Sequence, residues 1–380
     1  AASDVYKRQV NKDGENMRIL IKKIYMLMIM VLNIIFKPKK INRDHVVVMM
    51  TFKQDVFPII EALSHQGYNI TVVGKVEDQA QLKNLKNIMF IPAGNKKVIS
   101  HIKALSSAKV IIIDTYYLIM GGYNKKKGQT VIQTWHAAGA LKDFGLTDHQ
   151  VDVNNQAMVE QYKRVYDATD YYLVGGEEMA QCFKESFEAR PEQMLKFGLP
   201  RLVKYLNMDI EEAQRSLKAQ YQIKDKLAIY VPTYRESKIA NRTLNKEKFE
   251  QSLPHYTLLS HLHPSIRDRQ SSQDIDITSL MIMADVIISD YSSLPIEASL
   301  LNKPTIFYNY DEKEYENVRG LNSFYYAIPN AYKFIDENSL IQALKENDVP
   351  LQSLFNTWHR YNTKESLNEL VNFINKLVKS

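Results

Sequence analysis

The sequence predicts an α/β protein: two Rossmann-like domains in tandem, their parallel sheets facing a cleft, preceded by a membrane-associated helix. Three observations predict this. Short, almost wholly apolar runs recur with helical segments between them, as strands buried on both faces of a parallel sheet require. The pattern restarts near residue 226, so the 380 residues divide into two units. Ahead of both lies an apolar stretch with basic residues on each side.

Composition sets the outer limits. At 45% hydrophobic and 24% charged residues the chain has ample material for two cores. A net charge of +6 suits a polyphosphate substrate or an anionic membrane surface, and does not by itself suggest nucleic acid. Cys182 is the only cysteine, which excludes an intrachain disulfide and any multi-cysteine zinc site.

Residues 1–16 show no periodicity and read as a disordered tail or an artefact. Residues 17–40 read as a helix at a membrane interface. Their unbroken apolar core, 24–32, is short of the ~20 residues that cross a bilayer. Arg18, Lys22 and Lys23 precede it; Lys37, Lys39 and Lys40 follow. A signal peptide needs a small-residue cleavage site, and Lys-Pro-Lys-Lys stands there instead. A spanning helix must take in Lys22 and Lys23, and a buried first helix is the plain alternative. An interfacial helix with lysines on anionic headgroups fits best. Basic flanks on both sides keep the following chain on the cytoplasmic face.

The first domain is expected over 41–208. Strands are predicted at 45–52, 69–73, 88–91, 110–114, 130–135 and 171–174, with helices at 56–66, 78–85 and 97–106 between them. Pro58 is tolerable in a first turn and Gly67 makes a stop. Such sheets bind ligands beyond the carboxyl ends of their strands, where Asp114 and His136 fall. The stretch TVIQTWHAAGALKDFG (130–145) reads as a strand that delivers His136 onto an Ala-Ala-Gly turn, then a helix start reaching Lys142. An imidazole placed there suits a general base beside a bound phosphate, although a lone histidine also serves as a plain turn residue. No GxGxxG occurs, so dinucleotide binding is not supported. Lys125, Lys126 and Lys127 form a basic loop that is either solvated or turned to lipid phosphate.

The second domain is expected over 209–380, after a connecting helix at 209–221. Strands follow at 227–236, 256–262, 284–290 and 305–308, with a helix at 295–301. Ser292 and Ser293 stand where a helix N-terminus offers N–H groups and hydroxyls to a phosphate, or where they simply cap it. Glu297 lies one turn further, placed for ribose hydroxyls or simply a surface glutamate in a favourable first turn. His263 ends a strand, either facing a phosphate or as a structural histidine. Arg235 and Arg319 are either diphosphate clamps, since a guanidinium grips two oxygens at once, or ordinary surface arginines. Asp274-Ile275-Asp276 has the look of a metal-binding DxD but lies in a polar loop and reads as solvated.

Taken together, WHAAGALKDFG, the strand ending in HLHP, and ISDYSSLPIEASLLNKPTIFYNYD followed by Arg319-Gly320 resemble the CDP-glycerol glycerophosphotransferases. These enzymes build wall teichoic acid in Gram-positive bacteria. The likeness covers most of the chain after about residue 46, with the segments in the family's order. The family's polymerases carry His-Gly-Thr after the tryptophan. His136-Ala137-Ala138-Gly139 looks more like the primase branch, which places the first glycerol phosphate. The resemblance implies a GT-B-like fold and a peripheral enzyme on the cytoplasmic face of the membrane, with no cofactor and no catalytic metal. It implies CDP-glycerol as donor, an undecaprenyl-diphosphate-linked N-acetylmannosaminyl-N-acetylglucosamine as acceptor, and other teichoic acid enzymes as further partners. His136 matches the family's catalytic histidine. Arg235, His263, Ser292, Ser293, Glu297 and Arg319 are assigned to CDP and its diphosphate, and Asp114 and Lys142 to the acceptor side.

Overall fold

A computed structural model of the chain describes residues 2–233, 243–262 and 275–379. The first sheet holds β1 (His45–Met49), β2 (Asn69–Gly74), β3 (Ile88–Pro92), β4 (Val110–Ile113), β5 (Thr130–Gln133), β6 (Tyr171–Leu173) and β7 (Met194–Leu195). Their order is β3-β2-β1-β4-β5-β6-β7 and every pairing is parallel. β1 and β4 lie at its middle, in register Val46 to Val110, and every residue of both is buried. Only an apolar run can occupy such a place, which is why these strands were visible in the sequence.

The second sheet is also all parallel: β8 (Lys226–Tyr230), β9 (Tyr256–Ser260), β10 (Val286–Ser289), β11 (Thr305–Tyr308) and β12 (Lys333–Phe334), ordered β12-β11-β10-β8-β9. In each sheet the strand order reverses beside the first strand, between β1 and β4 and between β8 and β10. These switch points are where open α/β sheets leave a crevice for a ligand.

Several expectations need amendment. Residues 2–16, expected as a disordered tail, continue the long N-terminal helix Ala2–Phe36. The polar helix expected at 78–85 is a 3-10 helix, Val76–Leu82. No helix follows His136; the chain runs on as bends to a short 3-10 turn, Gly145–Thr147. The final helix, Ser366–Lys379, packs back on the first unit. Phe373 there meets Tyr171 and Phe197, and Tyr68 Oη donates to Asn375 Oδ1 at 2.5 Å.

The N-terminal helix lies along the first unit with one face down. Ile19, Met26, Ile29 and Asn33 are buried beneath it. The contact is close because Gly121 and Gly122 stand opposite. A Cβ on Gly122 would lie 2.6 Å from the Met26 carbonyl oxygen and 2.8 Å from Ile29 Cβ. The other face is apolar and open. Leu20, Ile24, Leu27, Val31 and Ile34, spaced three and four apart, form one exposed stripe, with Ile34 67% exposed.

Candidate active site

β5 stops at Gln133, and Trp135 turns the chain through a left-handed backbone conformation, φ +61°. Gln133 fixes the turn by accepting from the Trp135 N–H (2.9 Å) and donating to the Thr115 carbonyl (3.0 Å). Trp135 is seated on Phe144, Phe183 and Phe187, and His136 emerges beyond it.

His136 Nδ1 lies 2.9 Å from the Asp114 carbonyl oxygen. A carbonyl can only accept, so Nδ1 carries the proton and Nε2 keeps its lone pair. The ring stacks on Phe52 at 4.1 Å with 12° between planes, which fixes its orientation. Burial pulls its pKa below the ordinary histidine value; the Asp114 hydrogen bond opposes this, and the charges of Arg201 and Lys142 reinforce it. The side chain is therefore a neutral imidazole at pH 7, with its basic nitrogen fixed in tautomer.

Asp114 acts differently from the acceptor-facing role expected of it. Its buried carboxylate accepts from the Thr51 N–H (2.7 Å), the Phe52 N–H (2.6 Å) and Tyr117 Oη (2.6 Å). It thus fastens the loop after β1, and with it the Phe52 ring under His136. Asp290 does the same in the second sheet. It follows β10, is fully buried, and accepts from the Thr233 N–H (2.9 Å) and Thr233 Oγ1 (2.7 Å) after β8.

Ser292 and Ser293 stand half-buried before the helix Leu294–Ser299, Ser292 Oγ accepting from the Leu294 N–H at 3.2 Å. Ser293 is the N-cap position, but its side chain makes no capping bond. That helix faces the His136 loop: a Cβ on Gly139 would lie 2.6 Å from Ile296 Cδ1 and would also strike the Trp358 ring. Ala138 is buried in the core and Ala137 half-buried.

Glu297 is not free for a ribose. Its Oε2 is 2.7 Å from Arg201 Nη1, and its Oε1 accepts from Tyr205 Oη at 3.1 Å. Arg201 Nε is also 2.7 Å from Asp55 Oδ1, an ion pair without a well-aligned hydrogen bond. Burial raises the Asp55 carboxyl to about 7; Arg201 opposes this, and Glu297 and Asp114 add to it. Sequence reasoning passed over Arg201, since a buried arginine is recognisable only by carboxylates 146 and 96 residues away (201 − 55 and 297 − 201).

Arg319 and Lys142 belong to a seam between the two units. Lys142 and Leu321 form an antiparallel bridge, the Asp143 N–H donates to the Gly320 carbonyl (3.1 Å), and the His149 N–H donates to the Arg319 carbonyl (3.2 Å). Arg319 Nη1 donates to Gln150 Oε1 (2.7 Å), and Nη2 lies 3.2 Å from Asp148 Oδ2. Arg235 and His263 lie outside the described residues. So does Asp274 of the DxD-like triplet, while Asp276 caps the helix Ile277–Met283 by accepting from the Ser279 N–H (3.0 Å).

Residues 30–376 match the family described as CDP-Glycerol:Poly(glycerophosphate) glycerophosphotransferase. The chain belongs to this family, and it is a glycerophosphotransferase. It is 52% identical to the teichoic acid glycerol-phosphate primase of Staphylococcus aureus (strain NCTC 8325 / PS 47), over 95% of this chain and 100% of that one. The teichoic acid glycerol-phosphate primase of Bacillus subtilis (strain 168) is 32% identical, over 88% of this chain and 92% of that one. The solved wall teichoic acid polymerase TagF superposes with a TM-score of 0.73, covering 97% of this chain and 98% of that chain at 19% identity. That likeness is one of fold, and the two-sheet architecture is the expected GT-B-like one.

Proposed function

We propose that this enzyme is a primase. It transfers one glycerol phosphate from CDP-glycerol to an undecaprenyl-diphosphate-linked N-acetylmannosaminyl-N-acetylglucosamine and releases CMP. The observation that carries the chemistry is the neutral His136, its Nδ1 proton committed to the Asp114 carbonyl and its Nε2 left basic. A sugar hydroxyl is a poor nucleophile at pH 7. Nε2 takes its proton as the oxygen attacks the β-phosphorus, and the bond from that phosphorus to the CMP oxygen breaks, CMP leaving with the electron pair. Ser292 and Ser293, with Arg235 and His263, are the groups proposed to meet the charge that grows on CMP. From the seam, Arg319 is proposed for the CDP diphosphate and Lys142 for the acceptor side. End-to-end likeness to a protein named a primase supports the choice of a single addition.

The membrane is the proposed site of action. The exposed apolar stripe of the N-terminal helix suits an interfacial helix, and its opposite face is covered by protein. A spanning helix would have to leave Gly121 and Gly122 behind.

The deciding experiment incubates the purified protein with CDP-glycerol and the lipid-linked disaccharide and follows CMP and product mass. One added unit is expected. A long ladder would make it a polymerase, and turnover with UDP-sugars alone would reject the donor.

A further inference from the structure

We infer that the cavity between the N-terminal helix and the carboxyl ends of β3, β2, β1 and β4 binds the sugar–diphosphate head of the acceptor. The membrane-facing helix then supplies one wall of the acceptor site. This rests on the reading of the acceptor given above.

The cavity measures about 370 Å³. That is near the lower end of small-molecule sites, large enough for amino-sugar rings and too small for a long polyprenyl chain. Its walls have a division of chemistry. Tyr25, Tyr116 and Tyr117 line it, and aromatic rings are the usual partners of the C–H faces of a sugar. Thr51 and Asn95 offer hydrogen-bonding groups, and Lys22 brings a cation from the helix. Lys22 has no ion-pair partner among the described residues; its Nζ stands 6.0 Å from the Tyr162 ring centroid. An ammonium so placed at the helix side suits a diphosphate.

Position argues for the acceptor rather than the donor. The N-terminal helix bounds the cavity with Ile21, Lys22 and Tyr25, one turn or less from the exposed residues Leu20 and Ile24. The opposite wall adjoins the segments that hold His136. Thr51 precedes Phe52, on which His136 stacks, and Thr51 Oγ1 bonds Tyr117 Oη at 2.8 Å. Tyr116 and Tyr117 follow Asp114, whose carbonyl holds His136. β4 pairs directly with β5, which carries His136. The cavity thus joins the helix to the segments that hold His136, a path open to a ligand anchored in a lipid surface at the helix.

Two rim positions allow the test without disturbing the core. Ala93 and Asn95 are exposed and line the cavity. Full-length wild type, Ala93→Trp and Asn95→Trp are assayed with CDP-glycerol and the lipid-linked disaccharide in detergent micelles, so that membrane recruitment does not contribute. The acceptor KM is expected to rise at least tenfold in each variant. The KM for CDP-glycerol and the melting temperature stay at wild-type values. Folded variants whose acceptor KM stays within twofold of wild type would overturn the cavity assignment. Failure of the wild type itself on this acceptor, with turnover on another, would instead overturn the acceptor reading on which the assignment rests.

Discussion

Arg201 and Glu297 join the two units, Nη1 to Oε2 at 2.7 Å, with the same guanidinium 2.7 Å from Asp55. Arg201 follows β7 of the first sheet, and Glu297 lies in the helix after β10 of the second. One buried cation thus serves two carboxylates from opposite sides. Removing it in Arg201→Met leaves Asp55 and Glu297 buried without their shared cation, Glu297 keeping only the Tyr205 hydroxyl, a loss of about 3–5 kcal/mol. Calorimetry should show a fall of several degrees in melting temperature; an unchanged value would mean the pair is dispensable.

Asp55 gives the pair a pH signature. Its folded pKa of about 7 stands above the ordinary aspartate value of 3.8, so the fold holds this proton more tightly than the unfolded chain does. The contribution is full below pH ~4 and is lost as pH rises through ~7. Between pH 5 and 8 the wild-type melting temperature should therefore fall more steeply than that of Asp55→Asn. Parallel slopes would assign the proton elsewhere.

The proposed base, His136, carries a second signature. His136→Ala should lower kcat by about 10²–10⁴ with the melting temperature little changed. Because burial depresses the His136 pKa, the acid limb of the wild-type kcat/KM profile should lie below the ordinary histidine value of 6.5. An acid limb above that value would exclude this side chain as the titrating base.

Gly139 is the point of closest approach between the His136 loop and the second unit. Its place against Ile296 and Trp358 has no room for a methyl group, so Gly139→Ala should destabilise by about 1–3 kcal/mol and reduce activity with it. The half-buried Ala137 provides the comparison: Ala137→Ser should leave the melting temperature within a degree or two. Equal losses at both positions would remove the packing argument.

Deleting the N-terminal helix is a poor test of membrane binding. Ile29 belongs to a core cluster with Ile119, Met120 and Val165, and its removal would open that core. Serine at Leu20, Ile24, Leu27, Val31 and Ile34 changes only the exposed stripe. Sedimentation with anionic liposomes should drop severalfold while thermal unfolding stays the same. Unchanged sedimentation would show that the stripe faces no lipid.

The parallel strands were legible because a strand buried on both faces must be apolar; β11 was found at its observed limits. β12 has two residues, too few for any pattern. The helix expected after His136 failed for a tertiary reason. Residues 137–144 have helix-compatible composition, yet their backbone groups pair with the second unit: Leu141 accepts from Asn322, and Asp143 donates to Gly320. Local propensity yields when such partners exist. The tail of the chain illustrates the same limit, since nothing in Ser366–Lys379 names Tyr171 as the ring its Phe373 will meet. The strand-end position of His136 was legible in the sequence, whereas the pairing of Glu297 was not, because its partner Arg201 lies on the other unit.

The close seat of the N-terminal helix on Gly121 and Gly122 has a kinetic consequence. A rigidly held amphipathic helix sets the height and tilt of the whole molecule above whatever surface it rests on. On a bilayer, enzyme and acceptor would then search for each other by lateral diffusion in a plane. Turnover would follow the number of acceptor molecules per unit area. Diluting the acceptor with inert lipid at constant bulk concentration would slow it.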